Sequence, residues 1–84
     1  MAKYEKKIKE ALLEKYPDAR IEIERSYGAN PIFTVISAAF ENKAETKRQN
    51  EIWAWLKETL SFEDIQHIGF ILTMTPDEEK AYAE

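Results

Sequence analysis

The stretch Ile65–Glu78, which reads IQHIGFILTMTPDE, decides the fold because it joins a predicted strand to a predicted helix start. Its β-branched and aromatic residues predict a strand over residues 65–74, in which alternate side chains face opposite sides of a sheet. One face would carry Ile68, Phe70, Leu72 and Met74, and the other His67, Gly69, Ile71 and Thr73. Thr75-Pro76-Asp77-Glu78 then offers an N-cap threonine, a proline at the first helical position and a glutamate at the third, which predicts a last short helix.

The first half of the chain predicts a helix followed by a β-hairpin. Apolar residues recur at helical spacing up to Pro17, which ends the helix, at Tyr4, Ile8, Ala11, Leu12 and Tyr16. Residues 20–25 alternate strictly between apolar and charged, which predicts a strand with one solvated face. Residues 26–31 are typical of a turn, and the β-branched and aromatic run 32–37 predicts a central strand covered on both faces.

The second half predicts a short turn or helical coil over residues 38–42 and then a long helix. Asn42 and Glu45 have the spacing of a capping box, and the helix is expected to run to about Leu60. Trp53 and Trp55 lie on opposite sides of this helix, so Trp53 is expected to pack inward and Trp55 to sit on the rim. The order α-β-β-α-α-β-α predicts one α+β domain over residues 1–84, with helices packed on a three-stranded mixed sheet.

Composition excludes several classes of protein. The 84 residues are 44% hydrophobic and 33% charged, as in a globular domain, and no stretch is long and apolar enough to cross a membrane. The absence of cysteine excludes a disulfide framework and fits a reducing, cytoplasmic environment. The net charge of −4 disfavours nucleic-acid binding through the global field. With one histidine and no recognisable nucleophile motif, the sequence predicts no enzyme active site.

His67 is the only histidine and, without cysteine, nearly the only strong ligand available for a soft metal. One interpretation is a ligand to a metal or cluster at a partner interface. The alternative is a half-buried histidine that is bonded to a neighbouring group. The sequence leaves both open, although a single donor predicts that the protein alone holds no metal firmly.

A second candidate surface lies at the start of the long helix. The residues in question are Lys43, Lys47, Arg48, Gln49 and Asn50, which would contact a protein partner, and Trp55, whose indole would anchor an interface. The alternative is a solvated helix face in which Lys47 pairs with Glu51 at i,i+4.

Several spacings together resemble the BolA family. Residues 37–43 (SAAFENK) are similar to its Val-Ser-x-x-Phe-x-Gly-Lys segment, and residues 48–56 (RQNEIWAWL) to its Arg-His-Arg-x-Val-Tyr-x-x-Leu segment. His67, followed eight residues later by TPDE, resembles the family's His-Ala-x ending before Thr-Pro-x-Glu. The resemblance covers about residues 3–80, and the spacings from Ser37 to Phe40, Arg48 and Leu56 match without a gap.

The resemblance implies a class II KH-like α/β sandwich and a non-enzymatic function. Members partner monothiol glutaredoxins, with which they share a two-iron–two-sulfur cluster, and roles in stress response and transcription regulation are also implied. The family's cluster-ligating histidine maps on His67, and its second ligand, from the loop between the first two strands, falls nearest Tyr27. Here that loop has neither cysteine nor histidine, Gln49 replaces a family histidine, and Asn42 replaces a glycine while still tolerating a left-handed backbone.

Three functions therefore follow from the sequence. The first is a BolA-like adaptor for a glutaredoxin-like partner, monomeric or weakly dimeric, with no cofactor bound alone and a cluster shared in the complex. The second is a nucleic-acid-binding module that uses residues 43–50, although the G-x-x-G loop of true KH domains is absent. The third is a divergent protein-interaction domain that uses no metal.

Overall fold

The computed structural model describes residues 3–25 and 28–83. These residues form three strands, four α-helices and one 3₁₀ turn, and the order α-β-β-α-α-β-α of the helices and strands confirms the predicted α+β class. The elements are α1 (Lys3–Lys15), β1 (Arg20–Glu24), β2 (Ile32–Ile36), a 3₁₀ turn (Ala38–Phe40), α2 (Glu45–Thr59), α3 (Phe62–Ile65), β3 (Phe70–Met74) and α4 (Pro76–Ala83). No helix in these two segments is long and apolar enough to span a membrane.

The three strands form one mixed sheet in the order β1-β2-β3. β1 and β2 are antiparallel, with Ile21 opposite Val35, whereas β2 and β3 are parallel, with Val35 opposite Thr73. The parallel pair requires a long crossover, which α2 and α3 supply. β2 is therefore the central strand, as predicted.

The core lies between one face of the sheet and the helices α1 and α2. Its fully buried side chains include Ile8, Leu12, Phe33, Val35, Phe40, Ile52, Leu56 and Ile71. The expectation that β2 is covered on both faces holds only in part, because on its other face Ile36 is buried whereas Ile32 and Thr34 are half-buried. α1 and α2 contribute to a single core cluster on one side, so the opposite side of the sheet is largely open.

The third strand begins at Phe70 rather than at Ile65, so the prediction that His67 is a strand residue is wrong. Ser61 accepts a hydrogen bond from the backbone N–H of Asp64 and thereby caps the short helix α3. The chain continues in a turn, in which the N–H of Ile68 donates to the carbonyl of Ile65. Short apolar runs fit a helix or a strand equally well. Here the Ser61 cap favours a helix that includes Ile65, and the strand begins only at Phe70.

The ends of the helices show one capping prediction confirmed and one wrong. At α4, the N–H of Glu78 donates to the Thr75 hydroxyl at 3.1 Å, and the N–H of Thr75 donates to the Glu78 carboxylate at 2.9 Å. At α2, the N-cap is Ala44 and no side chain caps it. Asn42 instead adopts a left-handed conformation with φ 64°, and Glu45 accepts a hydrogen bond from Thr73.

Both tryptophans are half-buried, so the expected contrast between an inward Trp53 and a rim Trp55 is not found. The Trp55 indole N–H donates to the carbonyl of Ala11 on α1 at 2.8 Å, and that of Trp53 donates to the Gln49 side chain at 3.1 Å. The partner of Trp55 therefore lies on another helix, whereas that of Trp53 lies one turn earlier on α2 itself.

Candidate functional site

His67 lies in the turn between α3 and β3, and its side chain is half-buried. The turn is held by its own backbone, because the N–H of His67 donates to the carbonyl of Asp64 at 3.2 Å. Within the described residues, no hydrogen bond to either ring nitrogen is found. The imidazole is therefore neither sealed in the core nor engaged by a polar neighbour from those residues.

The imidazole of His67 is stacked on the ring of Tyr4 in the first turn of α1. The ring centroids are 3.9 Å apart and the planes differ by 15°. This contact fixes the plane of the imidazole while leaving its nitrogens free of that neighbour. The two rings border a surface cleft of ≈ 260 Å³, whose rim also carries Lys3, Lys7 and Asp64. Lys7 and Asp64 approach to 3.8 Å across the cleft, so its rim holds charges of both signs.

The end of the loop between β1 and β2 packs directly against the His67 turn. The Asn30 side chain donates to the carbonyl of Gln66 at 3.0 Å, and the N–H of Gly69 donates to the carbonyl of Pro31 at 2.8 Å. A Cβ at position 69 would lie 2.5 Å from the carbonyl oxygen of Asn30, so only glycine permits this approach. The structure thus brings the end of the hairpin loop to the turn that carries the histidine. Tyr27 lies outside the described residues.

An ion pair between a buried glutamate and an exposed arginine lies at the other end of this loop. Glu5 is 2% exposed and accepts two hydrogen bonds from the guanidinium of Arg25, the last described residue before the loop. Sequence reasoning missed Glu5. Its position three residues before Ile8 places it on the buried stripe of α1, and that spacing was a signal for its burial.

The donor set around His67 does not fit a metal or cluster held by this chain alone. Within the segments that the structure describes, no group of three histidine, cysteine, aspartate or glutamate residues is arranged to hold a metal ion. The whole chain has no cysteine. One imidazole is one ligand, and a stable site needs several.

The residues predicted at the start of α2 do not share the His67 cleft. The predicted Lys47–Glu51 pair is wrong. The carboxylate of Glu51 instead pairs with the ammonium group of Lys43 at 2.8 Å. Gln49 is half-buried and donates to the carbonyl of Ile71 at the edge of β3. Lys47 and Asn50 are exposed. Partner contact through these residues and through Trp55 remains a prediction.

Arg48 is buried rather than displayed on the surface, with a relative exposure of 7%. Its guanidinium makes two hydrogen bonds to the carboxylate of Glu78, at 2.8 and 3.0 Å, and its Nε donates to the carbonyl of Lys43 at 2.8 Å. The hydrogen bonds from Arg48 lower the pKa of Glu78 to about 2, with a further contribution from the backbone N–H of Thr75. Arg48 therefore joins the start of α2 to the start of α4.

The depressed pKa of Glu78 predicts that stability falls at acidic pH. A carboxylate whose pKa is lower in the folded state stabilises the fold above its unfolded pKa and loses this contribution as the pH falls towards the folded value. The window here runs from the ordinary 4.5 down to about 2. Because the Glu78 side chain is half-exposed, we expect a loss of only about 1 kcal/mol between neutral pH and about pH 3.

Urea unfolding at both pH values measures this loss, with Glu78→Gln as the comparison. The variant should be less stable at neutral pH and should depend less on pH, since it cannot ionise. An equal pH dependence in both proteins would assign acid sensitivity to other carboxylates, such as Asp18, whose pKa is lowered by hydrogen bonds from Ser37 and the Ala38 N–H.

Solved structures that are similar to this chain include two BolA domains from Arabidopsis thaliana. The BolA domain of SufE1 superposes with a TM-score of 0.69 at 21% identity, covering 93% of this chain and 98% of that one. BolA1 superposes with a TM-score of 0.67 at 19% identity, with the same coverage. No family model matches the sequence, and no curated protein sequence matches it. The chain therefore has a BolA-like fold, and the resemblance read from the sequence is confirmed at that level.

Proposed function

We propose that this protein is a non-enzymatic, cytoplasmic BolA-like adaptor that docks a monothiol-glutaredoxin-like partner through the surface around His67. His67 would be this chain's one ligand to a two-iron–two-sulfur cluster shared with the partner. The observation that carries the proposal is the half-buried imidazole, stacked on Tyr4 and bordering an open cleft beside the hairpin loop.

The surroundings of His67 support a docking role. Residues on either side of the loop between β1 and β2 are held by specific contacts. Arg25, before the loop, pairs with Glu5, and the carbonyl of Pro31, at its end, accepts a hydrogen bond from the N–H of Gly69. A prearranged surface binds a partner with a smaller loss of conformational entropy than a mobile one. A ring held in one plane likewise costs less to place against a metal.

The fit of the donor set limits what this chain contributes. With one described donor at the site and no cysteine, the remaining ligands would come from the partner. The protein alone is therefore proposed to bind no cluster. Its own residues would orient the imidazole through the stack with Tyr4 and the backbone of the turn.

Mixing the protein with a monothiol glutaredoxin under cluster-reconstituting conditions tests the proposal. We expect a visible circular dichroism spectrum that differs from that of the glutaredoxin alone, and its loss in His67→Ala. Gln66→Ala is the matched control, because that neighbouring side chain is exposed and only its backbone carbonyl contacts Asn30. Complex formation without iron, measured by calorimetry, separates docking from ligation.

Two results would count against the proposal, each against a different part of it. A spectrum identical to that of the glutaredoxin alone, with no effect of His67→Ala, would remove the cluster and leave an interaction domain without metal. No complex in either condition would remove the adaptor function.

The structure gives no specific support to nucleic-acid binding through residues 43–50. Two of the three cationic residues there, Lys43 and Arg48, have their charges paired with Glu51 and Glu78. Phosphate contacts need free cationic groups on a basic surface.

A further inference from the structure

The open face of the sheet is the side turned away from α1 and α2. It carries alternate residues of the three strands, which are Arg20, Glu22 and Glu24 of β1, Ile32, Thr34 and Ile36 of β2, and Phe70, Leu72 and Met74 of β3. Among the described residues, four large apolar side chains are exposed, and two of them, Phe70 at 54% and Leu72 at 37%, lie on this face. A third, Tyr82 at 83%, borders it from α4. Such clustering is typical of an interaction surface.

A cleft of ≈ 290 Å³ crosses this face between β1 and α4. Its floor is mainly apolar and consists of Thr34, Ile36, Leu72 and Met74. The opposite wall is the ring of Tyr82, on the exposed side of the eight-residue helix α4. The volume suits one or two side chains rather than a large ligand.

Carboxylates surround the apolar floor. Glu22 and Glu24 stand along β1, and Glu79 lies on α4. No lysine, arginine or histidine is among the described residues that line the cleft. Arg20, just outside it, pairs with Glu79 and lies 3.2 Å from Glu22, so the rim remains net negative. The field at the cleft therefore attracts cationic groups and repels anionic ones.

We propose that this open face docks an extended, cationic segment of a protein partner. An apolar side chain of the segment would cover Leu72 and Met74. A neighbouring lysine or arginine would lie between Glu22 and Glu24, with its charge near the face of the Tyr82 ring. The acidic rim disfavours nucleic acid, anionic lipid and a second copy of this chain in a symmetric pair, since each would bring negative charge to negative charge.

This docking face is separate from the His67 cleft, because the two share no lining residue. The inference therefore goes beyond the proposed function and does not depend on it. It gives the protein a second surface, apolar with an acidic rim, for a second protein partner.

The test is a titration of the ¹⁵N-labelled 84-residue chain with Ac-Leu-Arg-Leu-Arg-NH2, followed by amide chemical shifts. The matched probe is Ac-Leu-Glu-Leu-Glu-NH2. We expect the arginine peptide to shift amides of β2, β3 and α4 in a saturable manner, and the glutamate peptide to leave them unchanged. The affinity should fall when salt is raised from about 50 mM to about 300 mM, because the charges are exposed.

Variants locate the site. Replacing both Glu22 and Glu24 with glutamine should weaken binding about fivefold, as expected for the loss of exposed charge contacts. Leu72→Thr, at a partly exposed strand position, should weaken it through the apolar floor while keeping the fold. Glu10→Gln with Glu14→Gln, on the exposed side of α1, is the charge-matched control and should have no effect.

Four outcomes would overturn the proposal. The first is that the arginine peptide does not shift the amide resonances of the open face, and the second is that both peptides shift them equally. The third is that the Glu22 and Glu24 substitutions leave the affinity of a folded protein for the arginine peptide unchanged. Concentration-dependent shifts of this face without peptide would also overturn it, in favour of self-association. An unaltered titration in His67→Ala is expected and separates this surface from the one proposed for the glutaredoxin-like partner.

Discussion

Gly69→Ala is expected to lower the free energy of unfolding by about 3 kcal/mol, the upper range for forcing an extra methyl group into a tightly packed position. The new Cβ would lie 2.5 Å from the carbonyl oxygen of Asn30 and 3.0 Å from that of Pro31. Both are backbone atoms, so no flexible side chain can move aside. Relief requires the hairpin loop to move away from the His67 turn, with loss of the Gly69–Pro31 hydrogen bond. Urea unfolding followed by circular dichroism measures the change.

Gly28→Ala is the control for this prediction. Gly28 has φ +77°, and a methyl group added there would meet nothing within 4 Å, so alanine should cost about 1 kcal/mol from backbone strain alone. If Gly69→Ala lowers the free energy of unfolding by no more than Gly28→Ala does, close contact with the loop does not explain why position 69 needs glycine. A larger cost at position 69, with altered partner binding, would tie the loop contact to the His67 surface.

Arg48→Ala is expected to destabilise the protein by about 2–3 kcal/mol, because it leaves the carbonyl of Lys43 and the carboxylate of Glu78 without their partner. This loss of unfolding free energy is smaller than that expected for a fully buried ion pair, because the Glu78 side chain is 49% exposed and water can replace part of the contact. The substitution also removes packing against Phe40, whose ring centroid lies 5.7 Å from the guanidinium carbon.

Two further variants sharpen this measurement. Lys47→Ala, one position earlier and exposed, should change the free energy of unfolding by less than about 0.5 kcal/mol. Arg48→Lys keeps the charge but not the paired hydrogen bonds, so its free energy of unfolding should lie between those of Arg48→Ala and Lys47→Ala. Equal stabilities for Arg48→Ala and Lys47→Ala would contradict a structural role for Arg48.

Features that depend on near neighbours in the sequence were predictable. The alternating residues of β1 and the cap formed by Thr75 and Glu78 are local, and both are found in the structure. The start of β3 was missed although its signal is local, because Ser61 caps a short helix that takes up the beginning of the apolar run.

The candidate site was only partly predictable, because its contacts join distant parts of the chain. The histidine itself could be singled out as the only one. Its stacking on Tyr4 could not, since that requires the docked position of α1. Arg48 was interpreted as a surface residue although it lies four residues before the buried Ile52, on the same stripe of α2. Its partner Glu78 is thirty positions away, beyond the reach of local pattern.

Glu78 serves two elements with one carboxylate, since it caps α4 and holds the guanidinium of Arg48. An isolated helix of eight residues would fray freely in water. Here, unravelling the first turn of α4 must also release a buried cation at the start of α2. Opening of the C-terminal helix is thereby coupled to the cooperative unfolding of the core, so its amide protons should exchange with solvent far more slowly than those of a free peptide.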